Sequence, residues 1–311
     1  MKKNLIIIFF TIIFCSSASA DKLLKNGFIN DNMNYAGLQE VNDPQNTIIL
    51  IYNHGQDKHD APLKDCSWKN NLRNSVSLLG KKIKEKQIMV YNFCTNNLAG
   101  DDYTRLWKKK KFKPPYKGKP KLEKRLDANL ELIDKFVKMG VPNKQIILTG
   151  HSCGGWMTMM LIARYPNKVG GGISYMPACY GKISKDFKVK KLGIEKALEK
   201  FIKQEGSGPA DMRQSQINEI KQSNNLPILV FTHPRDPFGG LLSDWVEEIS
   251  GIKRIIISED DKVDGKSCYR IGTNNGKQWK EKIKNYHYIN WADCFQYYNP
   301  VILEYIASRM E

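Results

Sequence analysis

The stretch from Gln145 to Trp156, QIILTGHSCGGW, constrains this chain more than any other. Ile146, Ile147 and Leu148 form an apolar run short enough for a buried strand. Gly150-His151-Ser152-Cys153-Gly154 follows and leads into an apolar helical run, Trp156 to Ile162. A strand that passes through G-x-S-x-G into a helix turns so sharply that the serine Oγ stands clear of the backbone. Neighbouring chain then comes too close for a Cβ, which favours glycine at 150 and 154. A serine hydroxyl is a poor nucleophile until a base takes its proton. The turn therefore obliges the rest of the chain to supply a histidine, an acid and donors for a developing oxyanion. The bland alternative, a glycine-rich turn with an incidental serine, makes no such demand.

Residues 1–20 read as a leader. Lys2 and Lys3 give a basic start, Leu5 to Phe14 is apolar, and Ala18-Ser19-Ala20 is a small-residue cleavage site. A secretory signal peptide cut before Asp21 is expected, and with it a secreted or periplasmic protein. The apolar run falls short of the roughly 20 residues a bilayer span needs, so no stable membrane anchor is expected. Residues 21–311 read as a single α/β domain with an inserted segment at about 180–225.

The chain of 311 residues carries a formal charge of +17. Much of it sits between Arg105 and Arg125, where Lys108 to Lys111, Lys113, Lys117, Lys119, Lys121 and Lys124 face only Glu123. Pro114, Pro115, Gly118 and Pro120 make most of this an irregular loop. Trp107, Phe112 and Tyr116 are interleaved, but no nucleic-acid motif accompanies them, so no nucleic-acid partner is expected. The loop reads as solvated, with an anionic partner or substrate as its functional alternative.

Thr47 to Tyr52, Gln87 to Phe93, Val169 to Tyr175, Leu226 to Thr232 and Ile252 to Ile257 read as strands, the last of these closing the series. Ser67 to Lys86 has apolar residues near helical spacing at Leu72, Val76, Leu79 and Ile83. Leu122, Leu126, Leu130, Ile133 and Val137 mark one face of a helix from Leu122 to Met139. Further helices are expected over Ile194–Gln204, Ala210–Ser223, Leu241–Ile249 and Phe295–Ser308, with a polar insertion at Gly265–Gly276. Strands alternating with helices imply a mainly parallel sheet covered on both faces, with small insertions at its C-terminal edge. Right-handed crossovers bring every strand's C-terminal end to one edge, where the site of such a sheet lies.

The chain from about Thr47 resembles the α/β-hydrolase family. His54-Gly55 after a strand, GHSCGG at 150–155, Asp236 after a strand and His287 before the last helix carry the resemblance. It implies catalytic residues in the order Ser, Asp, His, which Ser152, Asp236 and His287 supply. Histidine suits the base because its pKa lies near working pH. His54 and His59 precede the nucleophile, and the His151 side chain should point away from Ser152. His233 shares a loop with Asp236, but His287 lies where the family places its base. Asp236 either orients that imidazole or is a turn carboxylate paired with Arg235. The oxyanion donors are expected to be the Cys153 N–H and, by the same resemblance, the Gln56 N–H.

Asp260 to Gly265 superficially suggests a calcium loop, but Lys262 takes a ligand position and no glutamate closes it. No metal and no cofactor are expected. The leading expectation is an exported serine esterase acting on a small-molecule or polymer ester. A peptidase or an acyltransferase could use the same residues, and a binding module could keep the fold. No long apolar lid is present, and the Lys- and Gln-rich 180–225 segment favours a polar substrate.

Without Cys15, the cysteines are Cys66, Cys94, Cys153, Cys179, Cys268 and Cys294. An oxidising compartment favours pairing. The inferred fold puts Cys66 and Cys94 at the same sheet edge, and Cys268 on the side where Cys294 opens the last helix. Bridges Cys66–Cys94 and Cys268–Cys294 are expected, each worth about 2–4 kcal/mol. Cys153 and Cys179 share that edge too, but Cys153 reads equally as a buried thiol.

Overall fold

Aliphatic and β-branched runs build the centre of the sheet, and the computed structural model describes residues 27–29, 35–37, 40–55, 73–94, 121–179, 188–205, 207–257, 262–263, 266–274 and 277–311. The expected leader, Gln56, Cys66, Asp260 and most of the basic run lie outside these residues. In chain order the strands of the main sheet are β1 (Gly27–Ile29), β2 (Tyr35–Gly37), β3 (Thr47–Asn53), β4 (Lys82–Ile83), β5 (Lys86–Phe93), β6 (Ile146–His151), β7 (Gly171–Tyr175), β8 (Ile228–Thr232) and β9 (Ile252–Ile256). Their order is β2-β1-β5-β3-β6-β7-β8-β9, with β4 beside β5. From β5 to β9 every pairing is parallel, while β1, β2 and β4 pair antiparallel.

The helices are α1 (Arg73–Val76), α2 (Lys121–Lys138), α3 (Cys153–Arg164), α4 (Val189–Leu192), α5 (Ile194–Glu205), α6 (Ser207–Lys221) and α7 (Asn299–Arg309). Successive strand residues point to opposite faces, so one strand feeds two cores. Ile49, Ile51 and Leu148 pack with residues of α2, α3 and α6. Ile48, Leu50 and Ile147 pack with Ile302 and Ile306 of α7 on the other side. All six strand residues are 0% exposed. Burying each stabilises the fold by about 1.5–3 kcal/mol before chain entropy is counted. Among the described residues no helix is long and apolar enough to cross a membrane.

Four expectations change. The buried face of α2 is Leu122, Arg125, Leu126, Asn129, Leu132, Ile133 and Phe136, while Leu130 is partly buried and Val137 is 37% exposed. The face holds a buried arginine and a buried asparagine, so a stripe drawn through apolar residues alone finds Leu122, Leu126 and Ile133 but lands one position off at Leu130 and Val137. Within Ser67–Lys86, only α1 and a following turn are helical among the described residues, and Ile83 sits in β4. The helix expected at Leu241–Ile249 is a 3-10 helix, Gly240–Glu248. Finally, Ile252–Ile256 is not the last strand. The polar insertion forms two antiparallel ribbons, Lys262–Val263 with Lys266–Ser267 and Tyr269–Asn274 with Lys277–Lys282. Two 3-10 turns, Tyr286–Trp291 and Asp293–Tyr298, then precede α7.

From β3 the chain crosses to β5 on one side and later to β6 on the other. The crevice beyond the C-terminal ends of β3 and β6 is therefore the topological switch point, where open α/β sheets hold their ligands. His54-Gly55 leaves β3 there and Ser152 leaves β6.

Candidate active site

Ser152 has φ 56° and ψ −123°, a backbone conformation that non-glycine residues adopt only under constraint. Three backbone bonds supply the constraint. The Ser152 N–H donates to Tyr175 O at 2.9 Å, and Ser152 O accepts from Trp156 N–H at 2.9 Å and Ala178 N–H at 3.2 Å. The flanking glycines let the chains close in. A Cβ on Gly150 would collide with the Gly154 carbonyl, and one on Gly154 with the carbonyl oxygens of Asn53 and His54.

Three side chains converge at this turn. His287 Nε2 lies 2.8 Å from Ser152 Oγ. Its Nδ1 lies 2.9 and 3.0 Å from the two carboxylate oxygens of Asp236. An ionised carboxylate only accepts, so Nδ1 carries the proton and Nε2 presents a lone pair to the serine hydroxyl. Asp236 and His287 are each 2% exposed. Asp236 also accepts from the Phe238 N–H at 2.8 Å, and Asn285 Oδ1 accepts from the His287 N–H at 3.1 Å. The Phe238 ring packs against the imidazole with centroids 4.3 Å apart.

The other histidines are placed elsewhere. His233 Nδ1 accepts from Arg235 N–H at 3.0 Å, and its ring stacks on Tyr286 at 4.0 Å. Arg235 lies over the same tyrosine at 4.2 Å. His54 Nδ1 donates to Gly55 O at 2.7 Å.

Two contributors escaped the sequence reading. Arg125 Nη2 donates to His54 O at 2.5 Å, gripping the turn that leaves β3. Its place on the buried face of α2 was the available signal, hidden within a run of basic residues. His151 does not simply turn away from the site: its Nε2–H donates to His287 O at 2.7 Å, holding the backbone of the imidazole-bearing turn. Burial, and then the neighbouring His287, hold the His151 pKa well below 6.5, outweighing that bond to the His287 carbonyl. The unfolded chain therefore takes up a proton below about pH 6.5 that the native state refuses, and stability falls with falling pH. Urea midpoints at pH 7 and pH 5 are expected to drop further in the wild type than in His151→Gln. Equal drops would contradict this assignment.

Cys153 opens α3, where backbone N–H groups have no carbonyl of their own helix to bind. Its N–H therefore faces the crevice end of the helix, whereas Gln56 lies outside the described residues. Cys153 is joined by a disulfide to Cys179, with Cα atoms 4.4 Å apart, settling a pairing the sequence left open. Cys268 and Cys294 are also joined, at 5.1 Å, and this bridge closes the chain segment containing His287. Cys94 is disulfide-bonded, and its expected partner Cys66 lies outside the described residues.

Sheet order and the strand–serine turn–helix unit are those of the α/β-hydrolase fold. More narrowly, residues 117–201 match the family described as Phospholipase/Carboxylesterase. That segment includes Ser152 and ends before Asp236 and His287. No curated protein matches the chain. Among similar solved structures, Est1E from Butyrivibrio proteoclasticus is 12% identical, with 86% of this chain and 89% of that one covered at a TM-score of 0.44. EstE1, a thermophilic carboxylesterase cloned from a metagenomic library, is 14% identical over 86% and 81% of the two chains, at 0.46. A phospholipase/carboxylesterase from Dyadobacter fermentans is 14% identical over 79% and 94%, at 0.40.

Proposed function

We propose that this hydrolase is an exported serine carboxylesterase working through an acyl-enzyme on Ser152. The observation that carries the proposal is the continuous relay from Ser152 Oγ through His287 to Asp236. Ser152 Oγ attacks the ester carbonyl carbon while its proton passes to His287 Nε2. Asp236 holds the imidazole tautomer and stabilises the imidazolium. The Cys153 and Gln56 N–H groups receive the oxyanion. Collapse of the tetrahedral intermediate expels the alcohol, which takes the proton from His287. Water then gives a proton to His287 and attacks the acyl carbon, and collapse of this second tetrahedral intermediate releases the acid and expels Ser152 Oγ, which takes the proton back from His287. The disulfides fit an oxidising compartment and so support export.

Hydrolysis of 4-nitrophenyl esters graded in acyl length is the test. Turnover is expected to be fastest on short acyl chains, and the matching anilides should react far more slowly. Anilide turnover equal to ester turnover would identify a peptidase. No turnover of any ester would leave a binding module.

A further inference from the structure

The segment that leaves β7 lies against Ser152 at more points than the relay needs. Tyr175 O accepts from the Ser152 N–H at 2.9 Å, and the Ala178 N–H donates to Ser152 O at 3.2 Å. Ala178 O also stands 3.2 Å from Ser152 Oγ, while His287 Nε2 stands 2.8 Å from the same oxygen. A hydroxyl has one proton and donates it to one acceptor at a time. Oγ is therefore placed by the base and by a backbone carbonyl together. The next residue, Cys179, is joined by its disulfide to Cys153, the residue after Ser152, with Cα atoms 4.4 Å apart. The bridge thus ties the neighbour of Ala178 to the neighbour of Ser152, and both of its cysteines are buried.

The same short segment reaches the acid. A Cβ built on Gly239 would lie 3.2 Å from Pro177 O and 3.5 Å from Asp236 Oδ2, so Pro177 backs onto the turn that carries Asp236. Met176, which begins the segment, has φ 44°. A residue other than glycine holds such a conformation where the surrounding structure over-determines it. The Met176 N–H donates to Phe231 O at 2.9 Å, which fixes one end of the segment. The bridge fixes the other. Beyond Cys179 the chain goes on to α4, α5 and α6, and α6 meets α3 where Trp156 Nε1–H donates to Gln216 Oε1 at 2.7 Å. A covalent tie at residue 179 keeps displacements in that insertion from reaching the Ala178 carbonyl.

We propose that the Cys153–Cys179 bridge is a positioning device for the reaction, anchoring residues 176–179 so that Ala178 O holds Ser152 Oγ in line for attack. It acts through Ala178 and touches no reacting atom. The proposal rests on the serine-esterase reading.

The test compares Cys153→Ala/Cys179→Ala with Cys268→Ala/Cys294→Ala on 4-nitrophenyl acetate. Each bridge has a sequence separation of 26, so loop-closure entropy predicts similar falls in the urea midpoint. Turnover is measured in buffer without urea, with folding checked by circular dichroism. Loss of the Cys153–Cys179 bridge is expected to lower kcat by about 10- to 100-fold with KM changed by less than about threefold, as for a reacting atom misplaced by about 1 Å. Loss of the Cys268–Cys294 bridge is expected to change kcat by less than about threefold, since a fall in stability alone leaves the folded enzyme's kcat in place. Equal falls in kcat would make the effect one of general stability and overturn the proposal. Full kcat without the Cys153–Cys179 bridge does the same.

If that variant does not fold, the wild type is reduced with dithiothreitol in urea kept below its midpoint. The reagent closes to its cyclic disulfide, and its electron pair and thiol protons open the bridge to a pair of thiols. Turnover is expected to fall in step with the share of Cys153 and Cys179 found reduced by alkylation of aliquots, and to return when the remainder is reoxidised with oxidised glutathione. Turnover that persists with both thiols free overturns the proposal. A wild type that hydrolyses no ester instead overturns the esterase reading on which the positioning role depends.

Discussion

Ser152→Ala is expected to lower kcat on a short-chain ester by about 10⁴- to 10⁶-fold while leaving the chain folded. The substitution removes one oxygen and keeps the Cβ, so the constrained turn at φ 56° is unchanged. What disappears is the hydroxyl that lies 2.8 Å from His287 Nε2 and 3.2 Å from Ala178 O. Far-UV circular dichroism and a urea midpoint establish the fold, and 4-nitrophenyl butyrate turnover measures the loss. A variant within tenfold of the wild type would remove Ser152 from the chemistry.

His287→Ala is expected to be about as damaging, because nucleophile and base act as a unit. It should also destabilise more than Ser152→Ala does. His287 is 2% exposed, and removing it leaves the equally buried Asp236 without its imidazole partner. His233→Ala is the control. That ring stacks on Tyr286, one residue from the proposed base, so its loss should cost less than about tenfold in kcat, against the far larger loss expected at His287. The reverse outcome would move the base into the loop after β8.

The centre of the sheet was legible because β3, β6 and β8 carry nearly continuous apolar runs, whereas the three short strands β1, β2 and β4 carry no such run and were not read. The elbow was legible because its glycines are fixed by close backbone approach. The order Ser152, Asp236, His287 came from the family resemblance together with strand ends. The side-chain distances that join the three required three dimensions. Arg125 and Asn129 were hidden because apolar periodicity passes over buried polar residues that make hydrogen bonds. The ribbon Tyr269–Asn274 with Lys277–Lys282 was missed because its second strand has a single apolar residue, Trp279, yet a turn signal was present. Asn275-Gly276 in the sequence is a strong short-range hairpin signal. His151 was judged by the direction in which an elbow residue points. Its role depends on a carbonyl 136 residues away, which no local pattern encodes.

The most direct measurement is the site of covalent capture. The wild-type protein is treated with a fluorophosphonate, and the modified residue is located by peptide mass spectrometry. A single phosphonyl adduct on the peptide containing Ser152, formed as ester turnover is lost, is the predicted result. An adduct on a different residue, or full ester turnover after Ser152 has been stoichiometrically modified, would contradict an acyl-enzyme on Ser152.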